Sequence, residues 1–103
     1  MNKTLIALSV ACLGMTLSAQ SMAASSTLET VKARGQLICG VNTAAPGFAS
    51  VDSKGNWTGL DVDVCRAVAA ATLGDASKVK FVPLSSPQRF TALQAGEIDM
   101  LAR

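Results

Sequence analysis

Asp61-Val62-Asp63-Val64-Cys65-Arg66-Ala67-Val68-Ala69-Ala70-Ala71-Thr72-Leu73-Gly74, followed after a short turn by Val79-Lys80-Phe81-Val82, decides the fold. Val64, Cys65, Val68, Ala69 and Thr72 recur at helical spacing, and Gly74 ends the pattern. Asp61 is expected to cap this helix, with Asp63 at its second position complementing the positive end of the dipole. Val79 to Val82 then alternates apolar with polar, as a strand does. Upstream, Leu37-Ile38-Cys39-Gly40-Val41 is a brief apolar run between turn residues and reads as a buried strand. Downstream, Ser86-Pro87 offers an N-cap followed by a proline at the first helical position. Phe90 and Leu93 form the buried stripe of that helix, Gly96 closes it, and Ile98 to Ala102 begins another strand.

Strands alternating with helices of about a dozen residues imply βαβ units, hence an α/β fold with a parallel-type sheet flanked by helices. A first short helix from Ser26 to Arg34 follows from Ser26-Thr27-Leu28-Glu29, which fits a capping box, and Gly35 stops it. Asn42 to Ser53 is rich in Gly, Ala, Pro and Asn and reads as a long loop, while Asp52-Ser53-Lys54-Gly55-Asn56 looks like a hairpin tip with Trp57 and Leu60 on its return limb.

The 103 residues carry a net charge of +2 and contain no His. That balance is too weak to argue for nucleic acid, and no Lys/Arg cluster with interleaved aromatics supports it. The N-terminus is different in kind. Lys3 gives a positive start, Leu5 to Leu17 is an apolar run, and Ser21-Met22-Ala23 places small residues where signal peptidase reads, so residues 1–23 are expected to be a signal peptide cut after Ala23. A membrane span needs ~20 apolar residues, more than this run provides. Cys12 lacks a lipobox leucine, because Ser9 stands in its place. The remaining two cysteines, Cys39 and Cys65, would reside in an oxidising compartment. A strand buried on both faces and a helix stripe that includes Cys65 allow the two to face each other as a disulfide; two separate buried thiols are the other reading.

Gly59-Leu60-Asp61-Val62-Asp63-Val64, with Val68 and Ala69 following, resembles the signature of the bacterial extracellular solute-binding proteins that take up polar amino acids. Val31 to Leu37 resembles their opening helix and first strand, and Phe90-Thr91-Ala92-Leu93-Gln94-Ala95-Gly96-Glu97-Ile98-Asp99 their helix-to-strand turn. The Cys-Gly-Val-Asn of strand one is similar to that of the broad-specificity general L-amino-acid binding proteins. The resemblance spans residues 26–103, with Thr72 departing from a usually small apolar position. It implies two α/β lobes joined by a hinge, of which residues 24–103 are the N-terminal part of lobe one. The function implied is periplasmic binding of L-amino acids by a receptor that is a monomer when complete and delivers to ABC transporter permease subunits in the inner membrane. No cofactor or metal is implied.

Ligands of open α/β sheets sit beyond the carboxyl ends of the strands. Asn42 follows strand one and offers both donor and acceptor, though it also suits a turn. Ser85 and Ser86 precede a helix and can donate to a carboxylate, unless Ser86 is occupied as N-cap. Arg103 closes the last strand, where a guanidinium suits a carboxylate but equally suits a solvated surface. Asp61 and Asp63 are explained by capping and dipole complementarity, and Phe48 and Trp57 by packing of the hairpin or by ligand stacking. Two other functions remain: an enzyme of dehydratase or lyase type on the same scaffold, and the sensing domain of a membrane receptor. Catalysis needs a positioned acid or base, and the acidic residues here are accounted for by caps and turns.

Overall fold

The computed structural model describes residues 26–103. The signal peptide of residues 1–23, the cut after Ala23, Cys12 and the capping side chain of Ser26 lie outside the described residues. Strand β1 (Leu37–Val41) runs between β4 (Val79–Pro83) and β5 (Met100–Leu101), parallel to both, in the order β4-β1-β5. Its centrality follows from its composition. Leu37, Cys39 and Val41 point to one face and are buried, while the other face, at Gly40, is so tightly occupied that a Cβ there would meet Ile98 Cδ1 at 2.7 Å and Leu84 Cδ1 at 2.8 Å.

Helix α2 (Leu60–Leu73) connects β1 to β4, and α3 (Gln88–Gln94) carries the chain back past β1 to β5. The two crossovers run in opposite directions across the sheet, so right-handed connections put α2 and α3 on opposite faces. The α2 face holds the core: Cys39, Val41, Ala49, Val62, Cys65 and Ala102 form one cluster, and Val31 of α1 (Ser26–Arg34) joins Leu37 and Ala69 in a second. Cys39 and Cys65, both fully buried, are joined as a disulfide with Cα atoms 6.2 Å apart. Strands β2 (Ser50–Val51) and β3 (Trp57–Thr58) make the hairpin, pairing Ser50 with Thr58 and Val51 with Trp57.

Four expectations are corrected. Helix α2 begins at Leu60, which is therefore not on the hairpin's return limb, and its cap is Gly59 rather than Asp61. The reason is a loop carbonyl pair: Leu60 N donates to Gly47 O and Asp61 N to Phe48 O, so backbone satisfies the free amides of the first turn. This close approach needs glycine, since Gly59 has φ 124° and a Cβ would lie 2.3 Å from Phe48 O. The buried stripe is Val62, Cys65 and Ala69, whereas Val64 is exposed. Phe90 and Leu93 are also exposed, and Ala92 is the buried residue of α3. At about 100° per residue, a helix that meets its neighbours through Ala92 turns Leu93 about 100° and Phe90 about 200° away. The last strand is shorter than Ile98 to Ala102, with ladder pairs only at Met100 and Leu101.

Candidate ligand-binding site

The loops after β1 and β4 and the residues that follow β5 leave the carboxyl edge of the sheet together. Leu84 N donates to Val41 O and Ala102 N to Gly40 O, which extend the pairing of β4 and β5 with β1 up to the edge and bring Asn42, Ser85, Ser86 and Arg103 to the same end of the fold. Asn42 is half-buried, and its Oδ1 accepts the Ala44 amide at 3.1 Å. This is a local Asx turn, so Asn42 shapes the first loop while its side-chain nitrogen keeps donor capacity.

The two serines take different partners. Ser85 donates both its amide, at 3.3 Å, and its hydroxyl, at 2.7 Å, to Gln88 Oε1, and Gln88 N donates to Ser85 O at 3.2 Å. Gln88 reaching back three residues to the Ser85 amide resembles half of a capping box, legible as Ser-x-x-Gln at 85–88, but the N-cap of α3 is Pro87, without a side-chain cap bond, so the proline sits at the cap rather than at the first helical position. Ser86 is thus not the N-cap. Its Oγ instead accepts a hydrogen bond from Arg103 Nη2 at 2.7 Å.

The other residues of the recognised blocks do structural work. Asp99 accepts the Ile38 amide at 2.7 Å and pairs with Arg34, fastening the turn before β5 to β1 at the edge opposite Arg103. Asp63 pairs with Arg66 at 3.2 Å, and Asp61 lies in the first turn of α2, 9% exposed. Trp57 packs its ring 5.6 Å from that of Phe81 against the core, and Arg66 donates to the Trp57 carbonyl at 2.9 Å while lying over Phe81. Phe48 is 53% exposed.

The sequence model of the bacterial extracellular solute-binding proteins, family 3, matches residues 37–103, from the first residue of β1 through Arg103. The chain belongs to this family. Relatives of this family 3 protein include the "General L-amino acid-binding periplasmic protein AapJ" of Rhizobium johnstonii, 57% identical over 81% of this chain and 24% of its own length. The "Glutamate/glutamine/aspartate/asparagine-binding protein BztA" of Rhodobacter capsulatus is 60% identical over 79% of the chain and 24% of its own length. Among solved structures, the "ABC transporter / periplasmic binding protein from Brucella ovis with glutathione bound" is similar at 63% identity and a TM-score of 0.71, covering 73% of this chain and 23% of that one. The chain spans about a quarter of the length of the curated relatives it matches.

Proposed function

We propose that this family 3 chain supplies part of lobe one of a periplasmic receptor that binds L-amino acids without chemical turnover and delivers them to an ABC-type permease. The observation that carries the reading is the gathering of the loops after β1 and β4 and of the end of β5 at one edge, with Arg103 held on Ser86. A guanidinium without an acidic partner and neutral donors suit a ligand carboxylate, and an open α/β sheet binds ligands at this edge. Asn42, Ser86 and Arg103 are the ligand-facing residues of this lobe, and Ser85 supports them by fixing the loop through Gln88. The names of AapJ and BztA support the amino-acid class, and that of AapJ the periplasmic location.

Calorimetry on the complete receptor with a panel of L-amino acids is expected to give saturable heats for several of them, and chromatography to return each ligand unchanged. A product peak that grows with time would move the protein to the enzyme reading. Residues 1–23 are the export signal in this proposal, so a periplasmic product should begin at Ala24 on N-terminal sequencing. Light scattering should return the mass of a monomer.

A further inference from the structure

Two arginines among the described residues have no acidic partner: Arg89, which lies over the Phe90 ring, and Arg103, which alone of the two is held by a hydroxyl. Among the described residues, Arg34 pairs with Asp99 and Arg66 with Asp63, while Arg103 has a neutral hydroxyl as its partner. Among the described residues no carboxylate pairs with Arg103: Asp52 is turned to Asn56, Asp75 to Ser77, Asp63 to Arg66 and Asp99 to Arg34. A hydroxyl that accepts from a guanidinium orients it without neutralising it. Ser86 is free to do so because α3 is capped at Pro87 without a side-chain bond and Gln88 is engaged by Ser85. One Nη2–H is spent on Ser86, so the rest of the five-donor fork stays available, and the Ser86 O–H proton remains to be donated as well.

We propose that Ser86 is a positioning residue for Arg103, and that the oriented, unneutralised charge selects among amino acids by net charge, favouring anionic over cationic ligands. The inference rests on the amino-acid-binding reading. An α-carboxylate is common to every ligand and cannot discriminate among them. A fixed positive charge in a desolvating cleft does, because it attracts a ligand carrying an extra carboxylate and repels one carrying an extra ammonium or guanidinium. Lysine would keep the charge but lose the planar fork that a hydroxyl can orient.

The test uses the complete receptor, wild type and with Ser86→Ala, Ser86→Thr, Arg103→Lys and Arg103→Gln, titrated calorimetrically with L-glutamate, L-glutamine and L-arginine, and melted without ligand. Arg103→Gln should reduce the preference for L-glutamate over L-arginine by about 10-fold or more, the scale of a hydrogen bond to a charged group. Ser86→Ala should weaken L-glutamate binding by about 10-fold with an unchanged melting temperature, Ser86→Thr should restore it, and Arg103→Lys should fall between wild type and Arg103→Gln. Equal weakening of all three ligands by Arg103→Gln, or unaltered L-glutamate binding in Ser86→Ala, overturns the inference while leaving amino-acid binding intact. A wild-type receptor that binds none of the three overturns the underlying reading instead.

Discussion

At Asp52 a single carboxylate writes a turn. Its Oδ1 accepts the amides of Lys54 and Asn56 at 2.8 Å each, its Oδ2 accepts Asn56 Nδ2 at 2.9 Å, and Gly55 N donates to its carbonyl. These bonds favour the ionised form, so the Asp52 pKa is held below 3.8, chiefly by the Asn56 side chain and then by the Asn56 amide. Asp75 is held below the same value by the Ser77 hydroxyl and amide. The sign is that of a depressed acid: the stabilisation is present above the unfolded pKa and is lost as pH falls through the lower folded one. NMR titration of the side-chain carboxyl carbons should therefore give midpoints below 3.8 for both, and amides of the hairpin tip should exchange faster only on the acid side of those midpoints. An Asp52 midpoint at or above 3.8 contradicts the account. The serines at 85 and 86 carry the same lesson in another form. Both are visible as loop residues before a helix, but which hydroxyl meets Gln88 and which holds Arg103 depends on Gln88 reaching back and on a strand end 17 residues away.

Two long-range fastenings hold the elements in register. The Cys39–Cys65 disulfide ties β1 to α2 across 26 residues, and in the chain-entropy model such a loop contributes roughly 3 kcal/mol, largely by restricting the unfolded chain. The Cys39→Ala/Cys65→Ala pair should thus lower the free energy of unfolding by about that amount in denaturant titration. Intact mass after alkylation in denaturant should show no modified Cys39 or Cys65 without reductant and both modified with it. Asp99 is the second fastening, joining the turn before β5 to Arg34 at the end of α1 and to the Ile38 amide in β1. Asp99→Ala would leave that part-buried amide without its acceptor, at a cost of about 1–3 kcal/mol. The expected signature is local as well as global: the Ile38 amide should exchange markedly faster in the variant than the Cys39 amide beside it. Equal protection of Ile38 in variant and parent would assign the stability of that corner to packing alone.

Across the described residues as a whole, α2 covers one face of the sheet with a core of small and branched residues, whereas α3 leaves Phe90 56% and Leu93 39% exposed. Beyond the β1 ladders, β4 and β5 have no further strand partner among the described residues. Unpaired edges and outward apolar side chains favour association between copies, so residues 24–103 expressed alone should form higher-mass species in light scattering, reduced by Phe90→Ser and Leu93→Ser together. A monodisperse monomer would show that Lys80 and Pro83 on β4 protect the edge sufficiently. The sequence by itself determined the succession of helices and strands, the hairpin tip, the burial of β1, the glycine stops and the carboxyl-edge location of Asn42, Ser85, Ser86 and Arg103. Each of these rests on local periodicity, turn chemistry or alternation, which neighbours in the chain encode directly. Only the tertiary structure decided that Phe48 carbonyl, and not Asp61, serves the start of α2, that Val62 rather than Val64 faces the core, and that Arg103 meets Ser86. Those contacts depend on the order β4-β1-β5 and on how closely loop, helix and strand ends approach, and such distances arise only when segments far apart in sequence pack against one another.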